Sequence, residues 1–452
     1  MGSLVETLRS GSWLTRERIR LYAIAALIAA GGGLLFVLVT AHGLNDYQGR
    51  PIGTDFSNVY AAGTYVLNGK PAAAFDWPAQ YARERQIFGE QTPFYGWHYP
   101  PLFLFIAALL AFLPYLPALA VWQGTTLAFY LWSIFQISSW PDLSRPSTSC
   151  VEDNSDKNVD ARHTEKFTQS AQARLRAGRD SNERWLLLLL AVAFPAVFIN
   201  LGHGHNGFLT AALMGLALLL LDGRPVVSGI LFGLLAYKPQ FGVLIPLVLI
   251  ATGRWKTFAA AAITVALLAL ASTLAFGVKV WPALIDGSRF TREIVLEAGG
   301  TGWYKIQSVF AWARMWGAPV SLAYTIQILV TVGLAIAVCW LWRSAISARL
   351  KAAALIFAAL LSTPYSLDYD LMVLAPAIAF WAADGLSRGF RDWEKTILAA
   401  LWILPLVARS FPEFTGIPLT VPLLLAAFFL LLQHAAENTG IRFWVFPPRQ
   451  IE

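Results

Sequence analysis

A carboxylate, a lysine and a few histidines sit where a very apolar chain has little reason to put them. Asp55 lies in "GTDFSNVYAAGTYVLNGKP", His203, His205 and Asn206 in "NLGHGHNGF", Lys238 and Gln240 in "LLAYKPQFG", and Asp368 and Asp370 in "STPYSLDYDL". An aspartate within hydrogen-bond reach of a hydroxyl can take its proton as that hydroxyl attacks. Lysine and arginine can hold a phosphate through charge-assisted hydrogen bonds. Two histidines two residues apart could ligate a metal, but no third ligand stands near them at a convincing spacing. Each residue also has a plain explanation. An aspartate ahead of a helix is a common cap worth about 1 kcal/mol, and lysines near span ends usually snorkel to the interface. Lys238, however, is flanked by "GILFGLLAY" and "PQFGVLIPLVLI". A lysine toward the middle of a span costs about 2.5–3.5 kcal/mol, so a counter-charge, Asp55 or Asp370, is expected.

The elements that carry these residues are membrane helices. Of 452 residues, 57% are hydrophobic and 13% charged, where a soluble domain carries about 25% charged residues. The 18 tryptophans and 29 phenylalanines suit aromatic belts at the two interfaces. Cys150 and Cys339, one in a polar stretch and one in an apolar run, do not make a disulfide framework. The net charge of +7 is that of basic loops on a membrane protein, and no nucleic-acid motif accompanies it.

Thirteen apolar runs approach span length, several of them short and broken by proline or glycine, which is tolerated where broken helices line a protein-walled cavity. The first, 21–41, follows Arg9, Arg16, Arg18 and Arg20 and reads as an uncleaved anchor. With that basic N-terminus inside, the basic turns at 222–224, 254–256, 343–351 and 388–395 and the basic C-terminal tail all fall inside too. Inside termini require an even number of crossings. The stretch 101–138, divided by "LPYLP", therefore contains a half-span, and about twelve crossings are expected. Residues 140–184 are polar and nearly charge-balanced, a composition that predicts a disordered cytoplasmic loop.

This orientation gathers the unusual polar residues on the outer side. The first outer loop, 42–100, predicts two interfacial helices. Asp55 heads the first, which carries Asn58 and Tyr60 and stops at Asn68-Gly69. Asp76 caps the second, which ends at Gly89. The loop closes on the aromatic "FYGWHYPPL", with His98 and Tyr99. The turn at 200–206, the turn at Lys238 and Gln240, the long loop with Arg289, Arg292, Lys305 and Gln307, and the Asp368–Asp370 turn follow on the same side. Outward carboxylates, outward cations and a groove of broken helices suit a sugar carried on a lipid phosphate. The tail needs a lipid-facing groove, the phosphate needs cations, and a carboxylate helps both as base and against the positive charge on the sugar ring. A secondary transporter would instead place its site near the midplane between repeated halves, and no repeated half is evident; a flippase or partner for lipid-linked sugars stays open as a third reading.

The ordered motifs "GTDFSNVYAAG…GK", "YPPLFLFIAALLAFLPY", "GHGHNGFLTAALMGLALLLLDGRPVVSGILFGLLAYKPQFGVLIPLVLI" and "STPYSLDYDL" resemble glycosyltransferase family 87 over about 53–370, most of the chain. The resemblance implies an all-α polytopic membrane protein with the C-type glycosyltransferase fold, one membrane-embedded domain over 1–452. It implies hexose transfer, mannose above all, from a polyprenyl-phosphate donor to an extracytoplasmic lipid or glycan acceptor, by a single inverting displacement. The plasma (inner) membrane holds the protein, with both termini cytoplasmic. Asp55 matches the catalytic aspartate, Lys238 the lysine before proline, and Asp368 and Asp370 the late outer motif. Asn58, Tyr60, His98, Tyr99, His205, Asn206, Gln240, Arg292 and Lys305 join these last three as candidate substrate contacts. No metal or other cofactor is required on this reading. The chain departs from the family at Gly204-His205-Asn206, where glycine-glutamine-asparagine is frequent, and at 140–184, which has no counterpart.

Overall fold

The computed structural model describes residues 2–139 and 185–437; the segments 140–184 and 438–452 lie outside them, and with them the loop expected at 140–184. Among the described residues the chain is helical, with no strand and only isolated bridges, one of which joins Ile306 to Leu367. Among the described residues six helices are long and apolar enough to cross a membrane, and the pair Trp185–Val192 and Pro195–His203, bent by 43°, is a broken span or a re-entrant loop. Proline at the first position of the second piece explains the bend. Shorter apolar helices at Pro101–Ala111, Gly207–Leu220, Pro225–Tyr237 and Pro239–Ala251 complete the set of interrupted elements. This is an all-α integral membrane protein.

Burial sorts the helices by what surrounds them. Gly207–Leu220 and, after Arg349 and Lys351 in its first turn, Ala348–Ser362 are apolar all round and almost wholly buried, so they form the centre. Arg16–Val39 and Trp255–Phe276 bury little of themselves and carry leucines and isoleucines outward, as helices facing lipid do. Without a hydrophobic drive between helices in lipid, close packing needs small residues. Gly229 and Gly233 supply them: a Cβ on Gly229 would come 2.4 Å from the Thr257 carbonyl oxygen, and one on Gly233 would come 2.5 Å from Thr264 Cβ.

The loop 42–100 is a folded platform. Thr54–Leu67 ends at Asn68, followed by Gly69 at φ 69°. Asp76 Oδ1 accepts from Ala79 N at 3.2 Å to start Trp77–Phe88, which ends at Gly89 with φ 105°. Asp55 is not the cap that its position suggested. The cap position belongs to Gly53, in the left-handed region at φ 70°, and Asp55 is the second residue of the helix. Gly63 lets this helix lie directly on Leu104–Ala111, since a Cβ there would fall 2.1 Å from the Ala107 carbonyl oxygen. Both ends of Leu104–Ala111 are tied to the Asp55 end of the bundle. Tyr99 precedes it and meets His205 at 3.3 Å; Tyr115 follows it and donates to the Ile52 carbonyl at 2.7 Å.

Glu84 closes the platform from below. It is fully buried and accepts the backbone N–H groups of Tyr95 at 3.2 Å and Gly96 at 3.3 Å. Gln80, one turn earlier, donates to the Asn58 carbonyl at 2.9 Å. Burial pushes the Glu84 carboxyl up to about 7 despite those donors. Burial pulls His98 down to about 4; its Nε2 donates to the Tyr95 carbonyl at 3.2 Å, which leaves Nδ1 to accept from Thr291 at 2.9 Å. The folded state binds the Glu84 proton more tightly than the unfolded chain, so this group makes stability fall as pH rises from about 4.5 to 7. His98 acts oppositely, adding stability as pH rises from about 4 to 6.5. The two slopes offset each other in their shared window. We expect Glu84→Gln to remove the first and expose the second, so that the melting temperature of the variant climbs between pH 5 and 6.5. A variant profile parallel to that of the wild type would refute this account.

Candidate functional site

Asp55 stands at the start of its helix, half-buried, with no hydrogen bond or ion pair to any described residue. The positive end of the helix favours its ionised form. Withdrawal from water pushes its carboxyl above the usual range, nearby His203 draws it back, and Asp368 raises it again. His203 Nδ1 lies 2.7 Å from the hydroxyl of Thr54, which fixes the ring against the residue preceding Asp55. Two glycines make that approach feasible. A Cβ on Gly204, at φ 62°, would come 2.6 Å from Phe56 Cβ and 3.3 Å from Gly53 Cα. We expect Gly204→Ala to cost about 1–3 kcal/mol in overpacking, with a further 1–2 kcal/mol or so from the left-handed backbone. Gly202, which has open space where a Cβ would be, is the control. A fall in melting temperature for Gly204→Ala and none for Gly202→Ala is the expected pair, and equal melting temperatures would refute it.

Beside Asp55 lies a buried ion pair. Lys238 Nζ is 2.5 Å from Asp370 Oδ1, and both side chains are almost wholly buried. Asp370 Oδ2 accepts from Leu367 N at 3.0 Å, so both carboxylate oxygens are engaged. Lys238 interrupts two 3₁₀ turns, Leu235–Tyr237 and Pro239–Gly242, with an extended φ of −127° that the following proline favours. The counter-charge expected for Lys238 is thus Asp370 rather than Asp55. Tyr369, between the two aspartates, stacks on His205 with ring centroids 3.5 Å apart, and its carbonyl accepts from Asn200 Nδ2 at 3.0 Å. Asn200 Oδ1 accepts in turn from Gly207 N at 3.0 Å, latching the 200–207 turn to the 368–370 turn.

A third group of residues rims the site. Gln307 is buried and gathers three segments: its N–H donates to the Ser366 carbonyl at 2.7 Å, its Nε2 to the Ala408 carbonyl at 3.0 Å, and its Oε1 accepts from Thr420 at 2.5 Å. This sets Lys305, Asp368 and Arg409 on one edge. Arg409 reaches within 4.0 Å of Asp368 Oδ2. Loss of water and the neighbouring Arg409 both pull the Lys305 ammonium below its usual range, while Asp368 and Glu413 oppose them.

The structure therefore brings Asp55, Lys238, Asp368 and Asp370 into one electrostatic cluster, with Tyr99 and His205 packed against it. Asn206 heads Gly207–Leu220 with its side-chain oxygen and nitrogen both buried and unpartnered. Gln240 is half-buried at the Lys238 turn. Other candidates serve elsewhere. Tyr60 donates to the Leu113 carbonyl at 2.9 Å and His98 joins the platform to Thr291, whereas only the backbone carbonyl of Asn58 is engaged, by Gln80, and its side-chain oxygen is buried without a partner. Arg292 pairs with Glu293 at 3.1 Å and Glu297 at 3.5 Å on the surface. Sequence reasoning set His203 and Asn200 on the outer side without a role in the site, and left Thr54, Tyr369 and Arg409 out of it. His203 and Asn200 had a signal, sharing a short turn with His205; Arg409, at the end of an apolar run, had none. Among the described residues no group of three or more histidines, cysteines, aspartates or glutamates is placed to hold a metal ion.

No curated protein and no solved structure matches the chain. A family comparison does, over residues 97–364, which lie between Asp55 and the Asp368–Asp370 turn, so the placement of those carboxylates rests on geometry. The match covers more than half of the sequence, and the chain belongs to glycosyltransferase family 87.

Proposed function

We propose that this membrane glycosyltransferase moves a hexose, mannose in the first instance, from a polyprenyl phosphate to a lipid or glycan acceptor on the extracytoplasmic face. The observation that carries the reading is Asp55: a carboxylate at a helix start, with no partner among the described residues, raised above the usual carboxylate range and facing a cluster of fixed charges. The acceptor hydroxyl attacks the anomeric carbon, its proton passes to Asp55, and the sugar–phosphate C–O bond breaks with its electron pair leaving on the phosphate. One displacement inverts the anomeric centre. A carboxyl raised above its usual range is a stronger base, and so better matched to an alcohol proton. Lys238, neutralised by Asp370, organises the floor of the site, whereas Lys305 and Arg409 at the rim are the cations we assign to the departing phosphate. No cofactor enters this scheme.

In this reading the Asp55 end of the bundle faces outward, the plasma membrane holds about twelve crossings, and both termini lie inside. The placement of Leu104–Ala111, tied at both ends to the Asp55 side, supports counting it as the half-span. The test is transfer by purified protein from a panel of radiolabelled polyprenyl-phosphate hexoses and pentoses to host membrane glycolipids. Transfer from a hexose donor, mannose first, is expected; no transfer from any donor would overturn the reading.

A further inference from the structure

A third cation stands beside Lys305 and Arg409. It is Arg50, far away in sequence, on the turn that leads into Gly53 and Asp55. The charges of Arg409 and Arg50 both reach the Lys305 ammonium and work against it. The Arg50 backbone is fixed: its N–H donates to Asp46 Oδ1 at 2.9 Å, and its carbonyl accepts from Asp46 N at 2.7 Å. The turn is fastened to the platform by Asn45 Nδ2, which donates to the Phe88 carbonyl at 2.8 Å, and by the Tyr115 hydroxyl on the Ile52 carbonyl. A rigid base therefore carries an exposed guanidinium that makes no hydrogen bond or ion pair to any described residue.

Elsewhere on the chain Arg9, Arg254 and Arg391 each reach a carboxylate within 2.7 Å. The rim is different. Arg409 stands 4.0 Å from Asp368, and Lys305 Nζ lies 5.5 Å from the centre of the Tyr304 ring. Asp46, the acid on the turn of Arg50, spends Oδ1 on the N–H groups of Gln48 and Arg50. Three cations without a close counter-charge repel one another, and an anion among them reverses the sign of that energy. Tyr95 shows which way Arg50 faces. Burial pushes its phenol up, Asp55 pushes it further and Arg50 opposes both, so base and cation border one half-buried ring. The Tyr95 N–H is held by Glu84 at 3.2 Å, while its hydroxyl has no hydrogen bond to a described residue.

We propose that Arg50 is a third ligand of the donor phosphate, beside Lys305 and Arg409, and holds the departing phosphate more tightly than the intact donor. This rests on the transfer reaction proposed above. In the donor the phosphate is a diester of sugar and prenyl alcohol, with one negative charge. When the C–O bond to the sugar breaks, its electron pair stays on the phosphate, which becomes a monoester and gains a second charge. A guanidinium stays charged throughout and offers five N–H donors. An interaction that strengthens as the leaving group gains charge lowers the barrier instead of merely binding the donor. Because Arg50 and Asp55 belong to one loop, a single platform positions both the base and this phosphate ligand.

The experiment measures two things on full-length protein in detergent: binding of farnesyl phosphate, a short polyprenyl phosphate, and transfer from polyprenyl-phosphate mannose. Wild type is compared with Arg50→Gln, Arg50→Lys and Arg289→Gln. Arg289, exposed and 3.7 Å from Asp286, controls for the loss of a surface charge. Arg50→Gln is expected to weaken farnesyl phosphate about tenfold, the order of one charge-assisted hydrogen bond. It should lower kcat by a similar factor, with little change in KM for the donor and none in melting temperature. Arg50→Lys should recover part of both losses, and Arg289→Gln should show neither. Phosphatidylglycerol, as a second ligand, separates the donor phosphate from that of an anionic lipid acceptor. Weaker binding of phosphatidylglycerol alone, or a rise in KM at unchanged kcat, would overturn the proposal. If wild type and Arg50→Gln bind farnesyl phosphate equally, the proposal falls and the transfer reaction stands; if wild type binds none, both fall.

Discussion

Asp55→Asn is expected to lower sugar transfer by about 10²–10⁴-fold, the usual contribution of a general base. The amide keeps the shape of the carboxyl but cannot take up the acceptor proton. The substitution should leave the fold almost untouched, because Asp55 caps nothing and pairs with no described residue. Only the interaction with the helix start is lost, about 0.3–1 kcal/mol. Loss of rate at an unchanged melting temperature is therefore the signature sought. Equal transfer by wild type and Asp55→Asn would return Asp55 to a structural role and move the search for the base to Asp368, which is coupled to Asp55 and borders the same rim.

Lys238→Met is expected to act the other way, on stability first. Removing the ammonium leaves Asp370 buried with its charge unmet, and breaking such a pair from one side costs about 3–5 kcal/mol. The remaining bond from Leu367 N offsets only part of that. The double variant Lys238→Met, Asp370→Leu should recover most of the loss, since replacing a whole buried pair with apolar residues is often neutral or stabilising. Melting temperatures in one detergent compare the three proteins. If the double variant is no more stable than Lys238→Met, the cost lies in packing rather than in unmet charge. Activity should stay low in the double variant, because the 368–370 turn loses the contact that fixes it.

Much of the platform was legible. Asp76, Asn68-Gly69 and Gly89 mark their helix ends because a cap is a local event, decided within a few residues. Lys238 announced a partner because its surroundings are apolar over a long stretch. Which partner was not legible, since Asp370 lies 132 residues away and Asp55 offered the same charge. The cap alternative for Asp55 could not be removed from the sequence, because Gly53 can take the left-handed turn itself and nothing local separates the second helical residue from the cap. His98 and Tyr60 looked like site residues because aromatic, half-polar side chains at a membrane boundary suit a ligand and a loop clasp equally well. Only tertiary placement separates the two, with Thr291 and Leu113 supplying the partners. The stacking of His205 on Tyr369 and the arrival of Arg409 at Asp368 depend on which turns become neighbours, and apolar periodicity reports faces, not neighbours.

Gln307 carries a consequence for cooperativity. One buried side chain and its own N–H hold the Ser366 carbonyl, the Ala408 carbonyl and the Thr420 hydroxyl, so three segments widely separated along the chain share a single fastening. None of them can open alone without stranding a buried polar group, so local unfolding at the rim proceeds as one unit. Lys305, Asp368 and Arg409 are then either all presented or all withdrawn, and the edge of the site behaves as a single two-state element rather than as three independent loops.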